Sequence, residues 1–556
     1  MKKSNKKANK YSSEGGFYNL LNKDIKEFNP YIISTLSIIF LMCVGLISYK
    51  VNTTYAVFTD TIIGSKTIEL TVDLGRLDKS GANIPVLDKS MIPVYYDEDS
   101  ETWKKADEKN KDENHKWYDY DNEMWANSVT VSSTNRSKYL SANPGTEIPM
   151  DDILTMQVWI PRYKYKVWNY NADGEQTSDP QPIEITFEKG TSTTGEITCT
   201  DNIQGSSGDG TSEACKLKET NTTCTDDTCN NKTYTHPAFT FGDKEIKGFW
   251  VGKFEVSATT SLDLTTISYE KNNQHESMIA SKMAYYYNDD DIVVKKIIPE
   301  PTEGRCTTLY DGTWLSSCSD TYFALTKPNI YSWTYGNIKH YEDSIMNMKN
   351  NSDSYGLSTT TDTHMIKNSE WGAVAYLSHS KYGTCTDGTC NEIGINNNPR
   401  YITGCGAKAG SSSSTTCNAY NTTTGMLAST TQNIYGVYDM SGGAGEYVMG
   451  KISADESEYD NSGYTDSTYP DAKYYDKYSY STSNSTRKRS KLGDGIKEVY
   501  AATNGWYGNN SVLAYYKYPW FGRGSSYNDE QQGLFSSSAQ DGDYQHFASS
   551  RLIITP

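Results

Sequence analysis

The C-terminal segment 520–556, WFGRGSSYNDEQQGLFSSSAQDGDYQHFASSRLIITP, is the feature that most limits how this chain can fold. Small polar residues fill most of it, but glycines and aromatic residues recur along it, and it ends with the apolar run 552–554. A disordered tail lacks this pattern, whereas a polar loop leading into a buried final strand has it. The segment therefore predicts a fixed framework that carries an exposed polar surface.

The composition favours a folded, β-rich protein. The chain has 556 residues, a net charge of −17 and 36% hydrophobic residues, and these values alone are compatible with disorder. However, 45 tyrosines and an aromatic content of 12% supply large side chains for a core. The negative charge repels nucleic acids, so we expect no nucleic acid among the partners.

Residues 31–49, YIISTLSIIFLMCVGLISY, contain no charged side chain and are long enough to cross a membrane as a helix. The preceding residues 1–30 are rich in lysine, which places them in the cytoplasm. A cleaved signal peptide is the alternative, but the polar leader is long and a small-residue cleavage motif is absent. We therefore predict a single-pass protein of the cell membrane, anchored through residues 31–49, with an extracellular C-terminal domain.

The chain has 11 cysteines, of which only Cys43 lies in the predicted anchor. The others occur as neighbouring pairs, including the similar segments CTDDTC (224–229) and CTDGTC (385–390). An even number of cysteines outside the cell favours disulfides, and we expect pairing between sequence neighbours. A four-thiolate zinc site is the alternative, but no histidine stands at ligand spacing, so we expect no metal and no cofactor.

The pattern of segments divides the chain into five parts: a cytoplasmic tail (1–30), the anchor (31–49), a β-rich stalk (50–85), a small N-terminal β unit (86–150) and a large α+β domain (151–556). Polar segments near 173–235, 384–424 and 452–490 are interpreted as surface insertions. Residues 369–383 are the best helix candidate. Ser369 is its expected N-cap, and Trp371, Val374, Ala375 and Ser378 share one face.

Four segments in order carry a family resemblance: KGFWVGKFEVS (247–257), MIKNSEWGAVAYLS (365–378), NIYGVYDMSGGAGEYV (433–448) and GRGSSY followed by SSRLII near the C-terminus. Together they resemble the formylglycine-generating enzyme and sulfatase-modifying family, which implies a C-type-lectin-like fold over about 150–556. In that family two cysteines that follow the GRGSSY position bind copper and carry the oxidation. This chain has YNDEQQ (527–532) there, so the thiolates of that chemistry are absent and we expect no enzyme activity. The family's NVWEW motif reads GAGEY (443–447) here, so the resemblance does not imply that this chain has the family's calcium site.

The C-terminal segment also resembles the end of ligand-binding proteins that retroelements diversify on a fixed lectin-like scaffold. The residues that match the fixed framework are Pro519, Trp520, Phe521, Arg523, Gly524, Tyr527, Gly533, Phe535, Gly542, Ser550 and Arg551. The resemblance implies that the residues between them contact ligand: Ser525, Ser526, Asn528, Asp529, Glu530, Gln531, Gln532, Ser536, Ser538, Gln540, Asp541, Asp543, Tyr544, Gln545, His546 and Ser549. Such small polar and tyrosine side chains resemble an antibody paratope.

We expect Arg523 and Arg551 to be structural, because one guanidinium can satisfy several buried carbonyl groups, and we expect Glu446 to point inward. The function that these features predict is a membrane-anchored bacterial surface receptor or adhesin, the target protein of a diversity-generating retroelement. Its ligand would be a protein or glycan on another cell, a phage or a host surface. Two alternatives remain: a cell-envelope enzyme of the formylglycine-generating type with altered chemistry, and a structural fibre subunit. The fibre alternative rests on YAVFTDT (55–61), which resembles the start of secreted matrix-fibre subunits.

Overall fold

The computed structural model describes residues 75–169, 179–199, 215–217, 223–224, 229–259, 262, 307–311, 314–315, 322–452, 460–465, 467–484, 489–501, 504–529 and 531–556. The predicted tail, the anchor and most of the predicted stalk lie outside these residues. Among the residues that are described, no helix has both the length and the apolar character needed to cross a membrane.

Short strands joined by loops make up most of the regular structure within the described ranges. The strands are β1 Ile92–Asp97, β2 Thr102–Lys105, β3 Asn127–Val131, β4 Ile153–Pro161, β5 Tyr163–Lys166, β6 Ile185–Phe187, β7 Ile197–Cys199, β8 Cys215–Leu217, β9 Thr223–Cys224, β10 Thr233–Thr235, β11 Thr240–Phe241, β12 Lys244–Glu245, β13 Gly248–Gly252, β14 Ser257–Thr259, β15 Thr307–Thr308, β16 Trp314–Leu315, β17 Phe323–Leu325, β18 Asp362–Met365, β19 Cys385–Thr386, β20 Thr389–Cys390, β21 Gly445–Ile452, β22 Asp476–Tyr478, β23 Tyr500–Ala501, β24 Asn504–Gly505, β25 Trp520–Gly524, β26 Gly533–Gln540, β27 Ala548–Ser549 and β28 Leu552–Thr555.

Helices are few in the same part of the chain. The α-helices are α1 Ser133–Ser141, α2 Ile338–Met346, α3 Ser352–Tyr355, α4 Asn368–Ser378 and α5 Thr423–Met426. Single 3-10 turns occur at Glu113–His115, Tyr120–Asn122, Met150–Asp152, Pro237–Phe239, Ala472–Tyr474 and Trp506–Gly508. This mixture of many strands and few helices confirms the predicted α+β class.

The C-terminal strand lies inside a seven-stranded sheet of order β18-β28-β13-β4-β3-β1-β2. β28 is antiparallel to both of its neighbours: Ile554 stands opposite Trp250, and Leu552 stands opposite Met365. All four of its residues are buried, as expected of a short, continuously apolar run that is covered on both faces. The prediction of a buried final strand is confirmed.

The sheet also corrects the predicted domain boundary near residue 150. β1, β2 and β3 extend the same sheet through the β3–β4 pair, and all described residues belong to one compact unit, Asp73–Pro556. The Trp125 indole donates a hydrogen bond to the carbonyl oxygen of Tyr382 (2.7 Å). The apolar side chains of β1 and β3, among them Ile92 and Val129, share one buried cluster with Phe254. Residues 75–85, predicted as the end of the stalk, contain no strand.

The helix predicted at 369–383 exists as α4, but its start, its end at Ser378 and its environment differ from the prediction. It begins at Asn368 after Lys367, so Ser369 lies inside the first turn. The Ser369 backbone N–H donates to the carboxylate of Asp476 (2.6 Å), and the Lys367 N–H donates to that of Glu370 (2.9 Å). The first turn is therefore capped both by the distant Asp476 and by Glu370 within the helix. Every residue of α4 is buried, so the helix has no solvent-exposed face.

The three segments interpreted as surface insertions contribute to the packed structure. Within 173–235, β6–β10 form a six-stranded sheet with β5. Within 452–490, β22 pairs in parallel with β21. Within 384–424, Asn396 and Cys405 are completely buried. The interpretation as surface insertions was therefore wrong for these parts, because polar sequences are buried here through hydrogen bonds and disulfides.

Two disulfides that lie wholly within the described ranges join sequence neighbours, as predicted. Cys385 is bonded to Cys390 across the β19–β20 hairpin, and Cys405 is bonded to Cys417. For the remaining external cysteines, neighbour pairing stays a prediction.

Candidate functional site

A cleft of about 100 Å³ opens on a five-stranded sheet of order β22-β21-β25-β26, in which β27 also pairs with β21. The strands bring distant parts of the chain together, because Glu446 of β21 stands opposite Arg523 of β25 and Trp520 of β25 stands opposite Gln540 of β26. The lining residues are Gly445, Glu446, Tyr447, Gly522, Arg523, Ser525, Ser526, Asp529, Ser538, Gln540, Phe547 and Ala548.

Five residues that the sequence predicted as ligand contacts line this cleft: Ser525, Ser526, Asp529, Ser538 and Gln540. The loop between β25 and β26 is held by its own side chains. The Asp529 carboxylate accepts the N–H of Gln531 (2.9 Å), and the Ser526 hydroxyl donates to the side-chain oxygen of Asn528 (2.9 Å). Gln540 donates to the Ser538 hydroxyl (3.0 Å). The polar atoms of the cleft are thus mainly hydroxyl, carboxylate and amide groups.

A second loop, 541–547, carries further predicted contacts next to β27. Its backbone is anchored, because the carbonyl oxygens of Asp541, Gly542 and Gln545 accept N–H groups from Asn461, Ile338 and Tyr335 at 2.9, 3.2 and 2.9 Å. The side chains of the loop remain partly accessible. Asp541, Asp543, Tyr544 and Gln545 are half-buried, and His546 is exposed.

Residues in the β25–β26 loop complete the predicted surface. Asn528 and Gln531 are exposed, and Gln532 is half-buried. Glu530 lies outside the described residues.

Two predicted contacts were wrong, because Ser536 and Ser549 are completely buried. The β25–β26 register shifts beside Gly524, which turns Ser536 inward, where its carbonyl oxygen accepts the Nε–H of Arg523 (2.8 Å). Ser549 lies in β27 and its hydroxyl is 2.8 Å from that of Ser332. Inward-facing and outward-facing side chains alternate along a strand, but serines occupy both kinds of position here. The sequence therefore could not show which serines face inward.

The two arginines of the framework are structural, as predicted. The buried Arg551 guanidinium forms a two-pronged ion pair with Glu446, with an Nε–Oε2 distance of 2.9 Å, and it donates to the carbonyl oxygens of Gly252 (2.8 Å) and Tyr438 (2.9 Å). Glu446 therefore points inward, and Arg551 engages both of its oxygens. These bonds tie the start of β28 to β13 and to β21, the strand that carries Glu446 at the cleft.

Three buried carboxyl groups surround this single guanidinium. Burial raises the pKa of Glu446 to about 7 and the pKa of Asp439 to about 6, although Arg551 lowers both. Burial, together with the charges of Asp439 and Glu446, raises the pKa of Glu255 well above its usual range. Because one guanidinium cannot neutralise three carboxylates, the folded protein binds protons here more tightly than the unfolded chain does.

We expect the free energy of unfolding to decrease as the pH rises from about 4.5 to about 7. A carboxyl group whose pKa is raised by folding stabilises the fold fully below its unfolded pKa, and this contribution is lost as the pH rises through the folded pKa. Carboxyls with such raised pKa values include Glu255, Glu342, Glu392, Asp439, Glu446 and Glu498. Buried bases whose pKa values are lowered act in the opposite sense, and among the described residues they are fewer and include His236, His340, His379, Lys253 and Lys327.

Denaturant unfolding across this pH range measures the effect. The Glu446→Gln variant cannot titrate at that position and should show a shallower decrease. A free energy of unfolding that rises with pH across the same range would contradict the expectation.

His379, Cys385 and Cys390 bring three potential metal-ligand atoms within 4.8 Å of one another, the only such group of histidine, cysteine or acidic residues within the described ranges. Both sulfur atoms are bonded to each other, so neither is a free thiolate. The His379 Nε2 atom lies 2.8 Å from the Tyr507 hydroxyl. The cluster is therefore explained as a disulfide packed against a buried histidine.

The sequence did not indicate that Gly445, Tyr447 and Phe547 belong to the cleft. Tyr447 donates from its hydroxyl to the carbonyl oxygen of Asp543 (2.7 Å), and Gly445 donates its N–H to that of Phe547 (2.7 Å). These contacts join β21 to the 541–547 loop. The small residues of GAGEY were a signal for close backbone approach, but only strand pairing identifies the neighbour.

No protein-family model matches this chain, and no curated protein matches it in sequence.

Proposed function

We propose that this protein is a bacterial surface receptor or adhesin that binds a ligand through the cleft and the two loops beside it, 525–532 and 541–547. In this proposal residues 31–49 anchor the protein in the cell membrane, and the binding domain is extracellular. The protein recognises its ligand and does not catalyse a reaction, and a diversity-generating retroelement varies the contact surface.

One observation carries the proposal: five of the polar residues expected to vary line an open cleft, whereas the two framework arginines are buried. Ser525, Asp529 and Gln540 line the cleft. The side chains of Arg523 and Arg551 are at most 1% exposed and donate hydrogen bonds to acceptors inside the protein. A surface built in this way can change its side chains without disturbing the core, as antibody loops do.

We expect the substitution Gly445→Leu to abolish or strongly weaken ligand binding without unfolding the protein. A Cβ atom at Gly445 would meet its nearest neighbours, the Phe547 carbonyl oxygen and the Ser525 carbonyl carbon, at 3.6 and 3.7 Å, which is ordinary contact. The longer side chain would fill the cleft. Loss of a central binding pocket costs about tenfold or more in affinity.

The measurement is the affinity of binders selected on the immobilised full chain from a phage library of random peptides. Gly445→Ala is the matched control, because it removes the glycine and leaves most of the cleft open. Equal thermal unfolding of the three proteins shows that they are folded. If the selected binders tolerate Gly445→Leu, the cleft is not the binding site.

Diversification has a separate test, which is deep sequencing of the 3′ end of the gene and its flanking DNA in a clonal population. We expect substitutions to be confined to codons between Ser525 and Ser549, with Arg523, Gly533, Phe535 and Arg551 constant. A near-copy of the segment and a reverse-transcriptase gene should lie nearby. An invariant segment without a near-copy would leave a receptor of fixed specificity.

A further inference from the structure

The binding face, which consists of the cleft and the loops 525–532 and 541–547, contains acidic groups and hydrogen-bond acceptors, and its basic side chains are His546 and the buried Arg523. Between Arg523 and Arg551 the sequence has Asp529, Glu530, Asp541 and Asp543, and no lysine or arginine. Asp529 lines the cleft itself and is half-buried. The whole chain has a net charge of −17, which adds a negative field of longer range.

The one arginine in the cleft wall is not available to a ligand anion. Four of the five N–H groups of Arg523 already donate to oxygen atoms, which belong to Ser536, Asn368, Asp494 and Gly495. Its side chain is buried. A carboxylate or phosphate in the cleft would therefore meet carboxylates without a free cation to balance them.

The size and walls of the cleft suit one elongated side chain. Its volume of about 100 Å³ is several times the ~10–15 Å³ that a single water molecule needs. Phe547 and Tyr447 are among the residues of the wall, and aromatic rings attract cations. The Ser525, Ser538 and Gln540 side chains supply oxygen acceptors around the opening.

We infer that the cleft binds a lysine or arginine side chain that protrudes from a protein ligand. This inference rests on the proposed binding function and gives it a ligand class. An ammonium or guanidinium group would lie against the Asp529 carboxylate, with its aliphatic stem against the aromatic wall. A neutral glycan would gain nothing from this charge, and an anionic glycan would be repelled.

Asp529→Asn tests the inference, because asparagine keeps the oxygen that accepts the Gln531 N–H and removes the charge. The probes are individual peptides selected on the full chain from the random-peptide phage library. We expect lysine and arginine to be enriched over the unselected library, affinity to fall about fivefold in Asp529→Asn, and binding to weaken with added salt. Asp99→Asn, in the exposed turn between β1 and β2, is the matched control and should change affinity little.

The other outcomes separate the two proposals. Peptides that lose binding in Gly445→Leu but lack basic residues, or that tolerate Asp529→Asn, would overturn the basic-ligand inference and leave the binding function intact. Salt-independent binding of a neutral glycan by the full chain would do the same. If no selected peptide responds to Gly445→Leu, the proposed function itself fails.

Discussion

Replacing Arg551 by methionine should destabilise the protein by about 3–5 kcal/mol, because it removes one partner from a completely buried ion pair. Glu446 would then remain in the interior beside Glu255 and Asp439, without the guanidinium that offsets their charges. The carbonyl oxygens of Gly252 and Tyr438 would also lose their donors. The loss should be smaller at low pH, where the carboxyl groups accept protons.

The measurement is the free energy of unfolding by denaturant for Arg551→Met beside two comparison variants. Arg400→Met is the matched control: Arg400 is half-buried and forms no ion pair within the described ranges, so we expect a change within about 0.5 kcal/mol. The double variant Arg551→Met, Glu446→Leu should recover part of the loss, since removing a buried pair costs less than breaking it. An Arg551→Met protein as stable as Arg400→Met would refute the structural role.

The substitution Arg523→Met should cost about 3–4 kcal/mol of unfolding free energy, since it would leave several buried acceptors without donors. Arg523 joins β25 to β26 through the Ser536 carbonyl oxygen (2.8 Å) and to α4 through the Asn368 side chain (2.7 Å). It also bonds the Asp494 carbonyl oxygen (2.8 Å), and its guanidinium lies 5.6 Å from the centre of the Trp371 ring.

Denaturant unfolding again gives the size of the effect, and hydrogen exchange locates it. We expect the β26 amides to lose protection, because their support from α4 is removed. Arg523→Lys keeps a charge but cannot reach all four acceptors, so its loss should be intermediate. A variant of wild-type stability that has lost ligand binding would instead identify Arg523 as a direct ligand contact.

The role of these arginines follows from sequence reasoning, but their partners do not. A guanidinium within an apolar and glycine-rich framework predicts a structural group, and Glu446 beside an aromatic residue predicts an inward carboxylate. The sequence does not reveal that Arg551 meets Glu446, because their contact depends on the pairing of β27 with β21, which places Ser549 opposite Glu446. Likewise, the helix at α4 is predicted by its local pattern, whereas its first turn is completed by Asp476, a residue far along the chain.

Local sequence determined the elements whose pattern is visible within a few neighbouring residues. These are the buried strand β28, the helix α4, the hairpin disulfide of Cys385 with Cys390, and the polar loops 525–532 and 541–547. The tertiary structure decided the rest. It placed residues 92–131 in the main sheet, turned Ser536 and Ser549 inward, and brought Gly445 and Phe547 to the cleft. The physical reason is that periodicity and turn residues act over a few positions, whereas strand order and register are chosen by the burial of whole faces and by hydrogen bonds between distant segments.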